Sequence, residues 1–214
     1  ISGVARSLNY YPIEDEKPEE GVVSLALGLG KYIVDGGLTL RVCPYHPTKV
    51  LQTKTMDMTL RETQTSFYAL DLKNRGENFS LDDGFNLLKL PIKEAEKNDA
   101  LQFIASTYDP FNMEIQDGVY PIGRKLITFA NILKREDFPL ARILQLAQEY
   151  GQNEMHRPVE IEFAVTLDAK EKTGTFYLLQ VRPMVDVKAD LSEDLNLIPE
   201  DKILLKSFNS LGHG

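Results

Sequence analysis

The sequence predicts an α+β fold: a mainly antiparallel sheet with a few packed helices. Three observations carry this. Residues 159–183 read as two alternating strands joined by a polar turn. Several earlier stretches also alternate apolar and polar residues with a period of two. Two stretches, 123–134 and 140–150, space their apolar residues as helices do.

The elements follow in order. Residues 1–5 (Ile-Ser-Gly-Val-Ala) suit a first strand. The acidic stretch 14–20, with Pro18 inside it, reads as a solvated loop. Val22, Val23, Leu25, Ala26 and Leu27 form an apolar segment. Gly28, Gly30, Gly36 and Gly37 then bracket a short piece as turn or cap positions. Alternation over 38–42 and 49–60 predicts strands, as do Phe67, Tyr68, Leu70 and Leu72 over 65–72. Residues 73–83 are polar and read as a loop, and 87–92 as a short strand. The stretch 95–103 fits neither period, and 108–118 reads as a loop with room for a short strand. The helix over 123–134 would bury Leu126, Ile127, Phe129, Ala130, Ile132 and Leu133. Pro139 opens the next helix, Leu140, Ile143, Leu144 and Ala147 form its face, and Gly151 ends it. A last short element is read over 203–208.

Composition bounds the function. The chain has 214 residues, 43% hydrophobic and 26% charged, enough for one or two domains with a real core. Net charge is −8, from 24 Lys and Arg against 32 Asp and Glu, which argues against a nucleic-acid or membrane-surface partner. Cys43 is the single cysteine, so an intramolecular disulfide and a multi-cysteine zinc site are excluded, and a reducing cytoplasm fits. No apolar run reaches the length of about 18 residues that a membrane helix needs. The start, Ile1-Ser2-Gly3-Val4, has neither an initiator Met nor a signal-peptide pattern and reads as the middle of a longer protein.

The hairpin carries the chemistry. Ile161, Phe163, Val165 and Leu167 share one face of its first strand; Glu160, Glu162, Ala164 and Thr166 share the other. On the second strand Tyr177, Leu179 and Val181 alternate with Phe176, Leu178, Gln180 and Arg182. A turn centred on Glu171 sets Glu162 opposite Gln180 and Glu160 opposite Arg182. The same face is expected to turn apolar towards the turn through Ala164, Phe176 and Leu178. Carboxylates with an amide oxygen suit Mg²⁺, and an adjacent arginine suits a phosphate oxygen.

Glu160-Ile-Glu162-Phe163, followed by Tyr177-Leu-Leu-Gln180-Val-Arg182-Pro183, resembles the nucleotide-binding domain of the phosphoenolpyruvate synthase and pyruvate phosphate dikinase family. Ser2-Gly3-Val4-Ala5, Glu20-Gly21-Val22-Val23 and Leu27-Gly28-Leu29-Gly30 are similar to its earlier strands and Gly-Leu-Gly turn. The resemblance implies an ATP-grasp-like fold with ATP and Mg²⁺ as cofactors. It makes Glu162 and Gln180 metal ligands, Arg182 a phosphate contact and catalytic group, and Glu160 a neighbouring site residue. It also gives Gly28 and Gly30 a place near phosphate; alone, that pattern is a structural turn. The implied partner is a swivelling domain whose phospho-His passes the group to pyruvate. On this reading 1–184 is the C-terminal part of the nucleotide domain, with 45–135 divergent or inserted, and 185–214 is a linker or tail. The isolated chain is then expected to be inactive. The family's Thr-Arg-Asn-Pro segment reads Ser7-Leu8-Asn9-Tyr10 here, which keeps open a non-catalytic binding or regulatory module. His46, His156 and His213 show no metal-ligand spacing, and Cys43 reads as a buried small hydrophobe.

Overall fold

The computed structural model describes residues 1–72, 84, 86–184, 199 and 202–204. In chain order they form β1 (Ser2–Arg6), β2 (Val22–Ala26), α1 (Lys31–Val34), β3 (Leu40–Val42), α2 (Met56–Glu62), β4 (Ser66–Leu70), β5 (Leu87–Pro91), β6 (Ala105–Asp109), β7 (Glu114–Asp117), β8 (Arg124–Ile127), α3 (Ala130–Arg135), α4 (Leu140–Met155), β9 (Val159–Asp168) and β10 (Thr173–Pro183). The loop read over 73–83 lies outside the described residues, as do His213 and most of 185–214, including 205–208 of the element read over 203–208.

The strands make a five-stranded sheet in the order β10-β9-β1-β2-β3, a β4-β5 hairpin and a three-stranded sheet β7-β6-β8. Every pairing is antiparallel. The α+β class is as predicted, and the arrangement is consistent with an ATP-grasp-like fold. One face of the large sheet is the core face. Ala5, Val23, Leu25, Ile161, Phe163 and Val165 point into it and are all buried. α4 lies over this face with Leu140 and Leu144 buried. Leu101, Phe103, Ile127 and Phe129 join the same cluster, so the stretch 45–135 shares one core with the large sheet.

Several predicted elements are corrected. The strand read over 49–60 is a 3-10 turn, Leu51–Thr53, followed by α2. Thr55 caps that helix, its Oγ1 accepting from the Met58 N–H at 3.2 Å. The hydroxyls of Thr59, within α2, and of Thr63, its extended C-cap, donate to the carbonyls four residues back, both at 2.7 Å, so neither side chain is left unsatisfied. The helix read over 123–134 is β8 and then α3. Gly123, at φ +113°, brings its backbone against Tyr108, and the next four residues pair with β6. Phe129, at φ +53°, then breaks the chain before α3. Leu126, Ile127 and Phe129 are all at most 1% exposed, the first two within the strand pairing with β6.

Gly151 does not end α4, which runs to Met155 and stops where His156 turns left-handed. At Gly151 the helix presses on the sheet: a Cβ there would lie 3.2 Å from Val159. The stretch 95–103 falls within two 3-10 segments, Ile92–Lys97 and Asp99–Phe103. The loop read over 108–118 is largely the β6-β7 hairpin. Cys43 is fully buried, as expected. The acidic stretch 14–20 is not simply a solvated loop. Glu16 is buried and accepts from Arg41 at 2.8 Å, Asn9 at 3.0 Å and the Ile13 N–H at 3.0 Å.

Candidate functional site

The face of the large sheet opposite α4 carries the candidate site. Its register sets side chains in rows across the strands. One row is Val22, Arg6, Glu160 and Arg182, from β2 through β1 and β9 to β10. The next is Arg41, Ser24, Val4, Glu162 and Gln180. A third is Ala26, Ser2, Ala164 and Tyr177. Glu162 is opposite Gln180, and Glu160 opposite Arg182, as the alternation predicts.

The rest of the hairpin departs from that reading. A β-bulge between Leu178 and Gln180 inserts Leu179 as an extra residue on β10. From the turn to the bulge, Phe176 pairs with Val165 and Leu178 with Phe163. Phe176 and Leu178 therefore belong to the core face, and the Phe176 ring stacks on Phe163 at 5.2 Å. The site face instead carries Ala164 and Tyr177 towards the turn. Beyond the bulge the phase is reversed, which returns Gln180 and Arg182 to the site face.

Glu160 is the hub. Its Oε2 accepts from Arg6 Nε at 2.7 Å, its Oε1 from Arg182 Nε at 2.9 Å, and Arg182 Nη2 also donates to Oε1. The Glu160 side chain is 11% exposed; those of Arg6 and Arg182 are 44% and 55% exposed. Burial pushes the Glu160 carboxyl up, but the hydrogen bonds and charges of Arg182 and Arg6 outweigh it, so the group sits below the usual range. The hydrogen bond to Glu160, with its charge, raises the Arg182 guanidinium. The side chains of Glu162 and Gln180 make no hydrogen bond among the described residues, the Glu162 charge acting on Arg182 across the sheet, so two side-chain oxygen donors face the same side on adjacent strands. No group of three His, Cys, Asp or Glu among the described residues could hold a metal. Two protein oxygens nonetheless fit Mg²⁺, which takes its remaining ligands from water and phosphate. The Ser2 hydroxyl, in the third row, is buried without a hydrogen-bond partner among the described residues.

Arg6 was not a predicted site residue. Alternation through Ser2, Val4 and Arg6 puts it on this face, but the strand was read to end at Ala5, and only the β1-β9 pairing shows what it meets. Gly28 and Gly30 are not brought to the Glu160 hub. They lie beyond the Ala26 end of β2, at the far end of the sheet. Gly28, at φ +93°, lets the chain approach β4, and the Leu29 N–H donates to the Tyr68 carbonyl at 3.1 Å. Gly30 precedes α1 with open space about its Cα.

Residues 1–196 match the family model described as pyruvate phosphate dikinase, AMP/ATP-binding domain, and the match runs through 45–135. No curated protein matches the chain. Among the described residues, no helix is long and apolar enough to cross a membrane.

Proposed function

The chain belongs to the pyruvate phosphate dikinase AMP/ATP-binding domain family, and from that premise we propose that its sheet face is the Mg²⁺- and phosphate-binding wall of a cytoplasmic phosphotransferase. The observation that carries this is the pairing of Glu162 with Gln180 beside Glu160 with Arg182 on one face. Glu162 and Gln180 would hold Mg²⁺, which bridges phosphate oxygens and neutralises their charge. Arg182 would meet the charge that develops on the transferring group. The finer reading takes the chain as the C-terminal part of the nucleotide domain, Gly28 and Gly30 as lying towards the nucleotide, and a mobile His as acceptor before pyruvate. Leu8, where the family has arginine, favours the second reading of a non-catalytic nucleotide-binding or regulatory module.

The test is made on the full-length protein with MgATP. Arg182→Ala is expected to slow phosphoryl transfer at least a hundredfold while shifting the melting temperature little, because the side chain is more than half exposed. Normal turnover with a much lower melting temperature would make Arg182 a structural partner of Glu160. Tight MgATP binding without any turnover would select the non-catalytic module.

A further inference from the structure

The geometry points to Arg6 as a second phosphate-binding arginine: Arg6 and Arg182, both anchored on Glu160, grip one phosphoryl group of a Mg²⁺-bound nucleotide. This rests on the nucleotide reading of the site and adds a residue that the family resemblance does not supply.

Each oxygen of Glu160 takes one arginine through its inner nitrogen, Arg6 Nε at 2.7 Å and Arg182 Nε at 2.9 Å. Arg6 Nη1 and Nη2, and Arg182 Nη1, make no hydrogen bond among the described residues. Two guanidinium groups thus flank one nearly buried carboxylate and keep outward N–H groups in solvent. The trio carries a net positive charge in a chain whose net charge is −8. A planar guanidinium presents paired N–H bonds that match phosphate oxygens, and two of them can share one tetrahedral group.

Arg6 is also held in place from behind. Its carbonyl accepts from Gln148 Nε2 of α4 at 2.8 Å. The next residue is locked to β9, the Ser7 N–H donating to the Val159 carbonyl and the Val159 N–H to Ser7 Oγ, both at 2.9 Å. A side chain on a fixed backbone, already hydrogen-bonded at Nε, loses less freedom when a ligand arrives. An ion pair kept only for stability gains little at such exposure, and Glu160 already has Arg182. Glu162 stands one row away, its carboxylate making no hydrogen bond among the described residues, and repels a bare anion, so the ligand that fits brings its own divalent cation.

The experiment measures dissociation constants by calorimetry on the full-length protein, with MgATP, Mg²⁺-tripolyphosphate and adenosine as probes. Arg6→Ala is expected to weaken MgATP and Mg²⁺-tripolyphosphate at least tenfold, as Arg182→Ala does, and to leave adenosine unchanged. Arg6→Lys keeps the charge but lacks the fork, and is expected to lose several-fold. If Arg6→Ala binds both phosphate probes within twofold of the wild type while Arg182→Ala does not, Arg6 is only a structural partner of Glu160, and the functional reading stands without it. If Arg6→Ala fails to fold by circular dichroism, wild-type affinity in folded Arg6→Lys overturns the proposal. If the wild type binds neither phosphate probe, the nucleotide reading fails and takes this inference with it.

Discussion

Glu16 and Glu160 show what two buried carboxylates do in different settings. In both, burial opposes ionisation and bonded arginines overcome it, so each carboxyl lies below its usual range in the folded protein. A folded value below the unfolded one means that the stabilisation is fully present above the unfolded carboxylate value, about 4.3. It is lost as pH falls through the folded value. The melting temperature is therefore expected to hold down to about pH 5 and to fall steadily below it, where the unfolded chain binds more protons. Glu16→Ala leaves Arg41, whose side chain is 25% exposed, without its carboxylate. That change is expected to cost about 3 kcal/mol by denaturant titration and to flatten the acid limb. The sequence made Glu160, Glu162, Gln180 and Arg182 legible because period-two alternation on both arms of one hairpin fixes faces locally. Arg6 and Glu16 were not legible, since their partners lie 154 and 25 residues away in the chain and are set by sheet order and loop packing.

At the scale of elements, alternation located β3, β9 and β10, and short apolar or aromatic runs located β1, β4 and β5. The misses share a cause. Around α2, threonines that favour strands cap the helix or bond back to its carbonyls, and in β8 the two apolar residues Leu126 and Ile127 run on towards α3 with no period of two to read. Two close contacts test the packing. Gly3 lies against the Phe163 ring, and a Cβ there would sit 2.1 Å from Phe163 Cζ. Gly3→Ala is expected to destabilise by about 1–3 kcal/mol by denaturant titration, because Phe163 is buried and stacked on Phe176. The bulge can be tested by deleting Leu179. The deletion sets Leu178 and Gln180 opposite the consecutive residues Phe163 and Glu162, so the ladder becomes regular while Gln180 and Arg182 stay on the site face. Nucleotide affinity measured by calorimetry is therefore expected to be retained, and its loss would show that the bend at the bulge itself places the two side chains.

For the whole molecule, one core joins the large sheet to the stretch 45–135, through Ile161, Phe163, Leu101 and Phe129 among others. That stretch was set apart in the sequence because it lacks the family's motifs, and motifs report on ligand contacts rather than on packing. Leu140, fully buried where α4 begins, tests whether the core is shared. Leu140→Ala is expected to cost about 2–5 kcal/mol. Hydrogen exchange should show β6 and β9 losing protection together; separate losses would mean two independently folding units. The bulge has a consequence for molecular company as well. β10 is an outer strand of its sheet, and Tyr177, Leu178 and Leu179 are exposed along it. A flat strand of that character would template pairing with another chain and seed aggregates. The extra residue bends the strand and breaks the regular spacing of the N–H and C=O groups that have no strand partner among the described residues, and Pro183 removes a donor at its end. The irregularity that returns Gln180 and Arg182 to the site face thereby also guards the protein's solubility.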